Sequence, residues 1–232
     1  MLKPIKIAFI RLSAMGDLIH SASILPLLFS ALQSEYEPVF HWYVDEIFCE
    51  VLEDSPFVHK LFSIPLKKNI KQKNFKYLLK LYKQLKVESY DMVIDMQGLL
   101  KSSIVGWILR SKYFVGFDFW SIKEPLASFF YTQKVSIPYQ KHILLRNAVL
   151  GFGAFNLPAP SLEALLCPKE FISANKNIFP IPHNGKKVLL LLETSKQNKT
   201  YPKESFFKLV MLFNSLGITP FLLTHKEVID PE

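Results

Sequence analysis

Short apolar runs, each closed by a polar turn and followed by a segment of helical periodicity, recur along this chain. That alternation constrains its fold more than any other feature. Residues 4–10 form an apolar run read as a buried strand, and a polar turn, 11–17, follows. A helix is expected over about 18–32, with Leu18, Ile19, Ala22, Leu25 and Phe29 on one face. Pro26 lies inside it and predicts a kink or an early end, because proline removes a backbone donor and clashes with the preceding turn. Residues 39–44 and 91–95 read as buried strands, and 113–115 and 135–137 as shorter ones. Between them, 73–86 is an amphipathic helix with Phe75, Leu78, Leu79, Tyr82 and Leu85 as its apolar stripe, and 99–109 is another helix. Strands alternating with helices predict parallel βαβ units and a doubly wound α/β sheet.

A second unit follows a proline-rich passage that carries Pro158, Pro160, Pro168, Pro180 and Pro182. Residues 188–192 are an apolar strand and 193–201 a polar loop. Pro202 suits the first position of a helix running to about Leu216, Gly217 caps that helix, and 218–223 is the next strand. The expected organisation is a Rossmann-like domain over 1–157, a connection over 158–185 and the start of a second Rossmann-like domain over 186–232.

The charge of +8 is local. No acidic residue occurs between Asp54 and Glu88, a stretch that holds nine lysines; without them the chain carries 28 − 9 = 19 bases against 20 acids. The expected partner is therefore an anionic surface or molecule. Cys49 and Cys167 make no short-spaced pair, so neither a disulfide framework nor a metal site is expected, and a reducing compartment is. The run 7–10 is stopped at once by Arg11, which argues against a secretory leader. Residues 148–167 come nearest to a membrane span, but Asn156, Glu163 and the prolines break them. Contact with a membrane is expected only from the side, in the cytoplasm.

Ligand groups of open α/β sheets gather at the carboxyl ends of strands. There the first strand runs into Arg11, Leu12, Ser13, Ala14, Met15, Gly16 and Asp17. Asp17 has two local readings: a general base in a cleft, or a residue that caps the following helix. The loop lacks both G-x-G-x-x-G and G-x-x-x-x-G-K-[ST], so ordinary dinucleotide or P-loop binding is disfavoured. The lysines of 67–86 are either a solvated helix face or a docking site for a polyanion, with Lys67, Lys68 and Lys71 placed in a loop to close around phosphate; the unbroken sign of charge favours docking. The third strand ends in Asp95, Met96, Gln97 and Gly98, with Lys101 and Ser102 just beyond. That is a polar cluster or simply a βα loop. Thr194, Ser195 and Lys199, before a helix, are a phosphate site or a polar surface loop. His142 reads as a structural histidine.

These segments occur in one order: Arg11 to Asp17 with Ile19 and His20; Tyr90 to Ser102; Glu124, Pro125, Leu126, Ala127 and Ser128 with Phe130 and Tyr131; His142 with Arg146 and Asn147; and Thr194, Ser195, Lys199 and Pro202. Together they resemble the heptosyltransferases of lipopolysaccharide inner-core synthesis, glycosyltransferase family nine. The resemblance implies a GT-B fold, in which the N-terminal Rossmann-like domain is complete and the second only partly present. It implies an inverting transfer of heptose from ADP-heptose to the Kdo of Kdo-lipid A, with Asp17 deprotonating the acceptor hydroxyl. Ser13, Met15, Gly16, Lys67, Lys68, Lys71, Gln97, Lys101 and Lys123 would bind the acceptor. Thr194, Ser195 and Lys199 would bind the donor diphosphate, Lys199 stabilising charge on the leaving ADP. No cofactor and no metal are implied, since ADP-heptose is itself the substrate, and a monomer at the inner face of the cytoplasmic membrane is expected.

Two Rossmann-like domains of ~150 residues each occupy roughly 300. This chain stops soon after the second strand of its second unit, and an Asp-Thr-Gly followed closely by His is absent. The expectation is either a fragment or a prematurely ended product. The alternative is a truncated, non-catalytic remnant that still binds the anionic lipid acceptor or the membrane surface. A nucleic-acid-binding module is disfavoured, because no such motif is present and the lysines are not interleaved with exposed aromatics.

Overall fold

A computed structural model describes residues 2–66, 69, 72–167, 170–172, 185–192 and 201–223. The chain divides into two compact units, Met1–Lys176 and Asn177–Glu232.

The first unit is built on six parallel strands: β1 (Lys3–Ile10), β2 (Tyr36–Val44), β3 (Lys60–Ser63), β4 (Ser89–Asp95), β5 (Arg110–Phe117) and β6 (Gln133–Val135). Their order across the sheet is β3-β2-β1-β4-β5-β6. Ile7 to Ile10, Phe40, Trp42 to Val44 and Val93 to Ile94 are completely buried. Such unbroken apolar runs are what a parallel sheet covered on both faces requires. Paired positions interlock: Phe9 lies opposite Trp42 in register, their rings stacked 5.3 Å apart, while Phe40 meets Phe9 edge-on at 5.2 Å.

The helices are α1 (Met15–Ala22), α2 (Leu25–Leu32), α3 (Phe75–Val87), α4 (Leu100–Ile108), α5 (Ile143–Gly153) and α6 (Leu162–Leu166). The helix expected over 18–32 is two helices. Pro26 sits in the first turn of α2, where its missing donor costs nothing, and a turn at Ser23 and Ile24 separates the pair. Residues 15–32 have the length and mean hydropathy (1.4) of a membrane span, which corrects the expectation that 148–167 come nearest. Half of that window is buried, and Leu18, Ala22, Leu25, Leu28 and Leu32 pack in the core. Residues 162–166, inside the expected connection, form α6 and bury Leu165, and Phe171 O accepts a 2.7 Å hydrogen bond from Ser55 Oγ.

The second unit is a β-α-β element: β7 (Lys187–Leu191), α7 (Lys203–Ser215) and β8 (Thr219–Leu223), the strands parallel in register. Pro202 stands one residue before the helix, at its cap. Gly217 adopts φ +66°, its N–H donates to Asn214 O, and Ile218 N–H donates to Phe213 O at 2.9 Å. Those two bonds make the left-handed glycine cap expected from the sequence. No described residue of this unit is buried.

Candidate functional site

The order of the large sheet reverses between β1 and β4, which stay paired as far as Ile10 and Asp95, so the chain segments beyond them leave to opposite sides and bound a crevice. A cavity of about 490 Å³ opens there, lined by residues from the ends of β1, β4 and β5 and from the first turns of α5. Asp17, in the first turn of α1, is the only carboxylate among its described lining residues; Arg11, Lys123, Lys141 and Arg146 supply four cationic groups.

Asp17 is not a cap. Ala14 holds the cap position and no side chain bonds the helix end. The Asp17 carboxylate instead takes Arg11 as partner, Nη2 to Oδ2 at 2.8 Å, with the arginine nearly buried and the aspartate half-exposed. Arg11 is itself fixed by donating to the carbonyl of Met96 at the end of β4. One guanidinium thus ties the two strands of the crevice together and orients the carboxylate at its mouth.

Gln97 completes the tie. Leu12 N–H donates to Gln97 Oε1 at 2.9 Å, and Gln97 Nε2 donates to Ser13 Oγ at 3.3 Å. Lys101 Nζ reaches the same Ser13 oxygen at 3.1 Å. Ser13, Gln97 and Lys101, three of the residues expected to bind acceptor, are therefore brought together and bonded to one another. Ser13, Gln97 and Lys123 line the cavity; Met15 and Gly16 are exposed beside it. Lys67, Lys68, Lys71, Thr194, Ser195 and Lys199 lie outside the described residues.

The loop after β4 is held from below by Asp95. Its fully buried carboxylate accepts from Gln97 N–H (2.9 Å), Gly98 N–H (3.1 Å), Ser102 Oγ (2.9 Å) and Tyr131 Oη (2.8 Å). Burial pushes its pKa up, against the pull of those four bonds. Gly98 has φ +67°, and a Cβ there would stand 2.8 Å from Ile122 Cγ1, so the turn has room for glycine alone. Glu124 Oε2 accepts from Leu100 N–H at 2.8 Å and satisfies the start of α4 from a neighbouring segment.

The far wall comes from α5, which local pattern did not single out. Arg146 is buried, its guanidinium 4.7 Å from the rings of both Phe117 and Tyr139, and donates to Ser121 O (2.6 Å) and Pro138 O (3.1 Å). Burial pushes its pKa down. Asn147, behind this wall, is buried, and neither end of its amide has a hydrogen-bond partner among the described residues. The legible signal was an Arg-Asn pair set within the apolar run of 143–152. His142 accepts from Leu144 N–H and caps α5, a structural role. Among the described residues no three His, Cys, Asp or Glu side chains gather to hold a metal.

The model of glycosyltransferase family 9 (heptosyltransferase) matches residues 78–229, about two thirds of the chain. The chain belongs to that family. Lipopolysaccharide heptosyltransferase 1 of Campylobacter coli is 34% identical over 212 residues, covering 85% of this chain and 57% of the relative. The protein of the same name from Escherichia coli K12 is 27% identical, covering 96% of this chain and 70% of the relative. This chain thus spans little more than half the length of the first of these relatives. Among solved structures, E. coli heptosyltransferase WaaC with ADP superposes with a TM-score of 0.76 at 25% identity, covering 94% of this chain and 67% of that one. WaaC with ADP-2-deoxy-2-fluoro heptose gives a TM-score of 0.78 at 24% identity and supports the fold alone. The GT-B class expected from the sequence agrees with this likeness.

Proposed function

We propose that this family 9 chain serves an inverting heptosyltransferase of lipopolysaccharide core synthesis. Its donor is ADP-heptose and its acceptor the Kdo of Kdo-lipid A. The observation that carries the reading is a single carboxylate, held by Arg11, in a cavity whose other charged lining residues are all cationic. An acceptor bearing carboxylate and phosphate groups suits four cationic groups, and its nucleophilic hydroxyl needs one base. Asp17 takes the proton from that hydroxyl as the oxygen attacks the anomeric carbon of heptose. The bond from that carbon to the ADP oxygen breaks on the opposite face, and ADP leaves with the bonding electrons. Lys123 and Lys141 hold acceptor anions at the rim. Arg146, already committed to carbonyl groups, shapes the wall.

Lys67, Lys68 and Lys71 are assigned to acceptor phosphates, and Thr194, Ser195 and Lys199 to the donor diphosphate, on the family resemblance. The protein works as a monomer at the inner face of the cytoplasmic membrane. Calorimetric titration with soluble, deacylated Kdo-lipid A tests the acceptor site. The parent chain should bind saturably, and Lys123→Ala with Lys141→Ala should weaken binding about ten-fold or more at low salt, less as salt rises. Equal binding by parent and double variant would remove the rim lysines from the site.

A further inference from the structure

One side of the first unit combines features that a water-facing surface does not need. On α3, Phe75 is 70% and Leu79 62% exposed; on α4, Ile104 is 45% and Trp107 65% exposed. Between the two helices runs a groove of about 370 Å³, lined by leucines of α3, by Ile104, Val105 and Ile108 of α4 and by Leu66, with Tyr82 and Lys101 the polar exceptions. The helical spacing of α3 sets Phe75, Leu79 and Tyr82 along one stripe, one turn apart. Lys76, Lys80, Lys83 and Lys86 flank that stripe, all exposed and in no ion pair among the described residues. Lys86 lies over the Tyr82 ring at 4.6 Å, and the exposed Phe75 and Tyr82 correct the expectation that these lysines are not interleaved with exposed aromatics.

We infer that this α3–α4 face is where the protein lies on an anionic lipid bilayer, its apolar side chains entering the headgroup–acyl boundary and its lysines resting on the anionic headgroups. The inference deepens the membrane placement proposed above and rests on it. Charge selects the occupant. A second copy meeting this face symmetrically would set lysines against lysines, whereas an anionic bilayer satisfies both halves of the surface: hydrocarbon for Leu79, Ile104 and Trp107, phosphate for the lysines. Lys101 adds a positional argument, since its stem lines the groove while its Nζ bonds Ser13 beside the candidate site. A bilayer against this face therefore holds the headgroup region next to the cavity mouth.

The test uses the chain itself with vesicles of phosphatidylethanolamine and phosphatidylglycerol, and with phosphatidylcholine vesicles as the neutral reference. The parent should co-sediment with the anionic vesicles and release as salt rises. The triple variant Phe75→Ser, Leu79→Ser, Ile104→Ser should lose about ten-fold or more in affinity with an unchanged circular dichroism spectrum. In a Trp120→Phe background, brominated lipid should quench Trp107 and spare the buried Trp42. Undiminished binding by the triple variant, or an unquenched Trp107 on bound protein, overturns this surface and leaves the membrane placement standing. A parent that binds neither vesicle overturns both. A parent that sediments as a dimer which the triple substitution dissociates makes the face a self-interface and overturns the inference.

Discussion

Asp95 supports the site without lining it. Two backbone donors and two hydroxyls converge on one carboxylate at zero exposure, so each bond is made in a low-dielectric setting and each loss leaves a buried charge underserved. Tyr131→Phe deletes one donor and should cost about 1.5–3 kcal/mol in urea unfolding. Asp95→Ala strands all four donors and should cost more, with loss of the Gln97 position that bridges β1 and β4. If Tyr131→Phe were neutral, the four-bond anchor would not be holding the loop. None of this was legible locally. Asp95 reads from sequence as a strand end, because one of its partners, Tyr131, is 36 positions away. For Asp17 the capping and general-base readings share one sequence pattern; the observed cap, Ala14, removes the capping reading.

At the scale of elements, the strand starts are laced by Glu88. It accepts from Lys6 of β1 at 2.7 Å and from Lys60 of β3 at 2.8 Å, which pulls its pKa down to about 2. In β2, in register with Lys60, His41 is buried beside Tyr90 and desolvation lowers its pKa to about 4. Both shifts mean that the unfolded chain binds more protons, so stability rises with pH across each window. The His41 contribution is intact above about 6.5 and is lost as pH falls towards 4. The Glu88 contribution is intact above about 4.5 and is lost as pH falls towards 2. His41→Phe should flatten the melting temperature between pH 6.5 and 4. Glu88→Gln should lower stability by about 1 kcal/mol at neutral pH, given the exposure of Lys60, and the difference should vanish near pH 2. Parallel pH profiles for parent and variants would contradict this lacing. The strand β3 itself was missed, because its four residues begin with lysine and sit in the basic stretch; only pairing with β2 makes them a strand. The long strands were legible because a covered parallel sheet demands continuous apolar runs; α3 was legible as a helix, but Phe75, Leu79 and Tyr82 of its expected stripe are exposed, and it is Leu81 and Leu85 that it buries.

At the scale of the molecule, the order β3-β2-β1-β4-β5-β6 decides where chemistry sits. The crevice between β1 and β4 gathers Arg11, Asp17 and Gln97 from segments some eighty residues apart. The alternation of strands and helices made the parallel sheet legible, and the rule that ligands bind at strand carboxyl ends pointed to the loops after β1 and β4. Arg146 and Asn147 were legible only as part of the family's order of segments, not as a wall of the site, since only the fold brings α5 over that crevice. The most direct measurement is heptose transfer from ADP-heptose to Kdo-lipid A by the chain joined to the part of the Campylobacter coli relative that it does not span, compared with its Asp17→Asn variant at matched folded concentration. Asparagine keeps the shape and a hydrogen bond to Arg11 but accepts no proton. The rate should fall ~10²–10⁴-fold with acceptor binding retained. Transfer by the variant at the parental rate would contradict Asp17 as the general base.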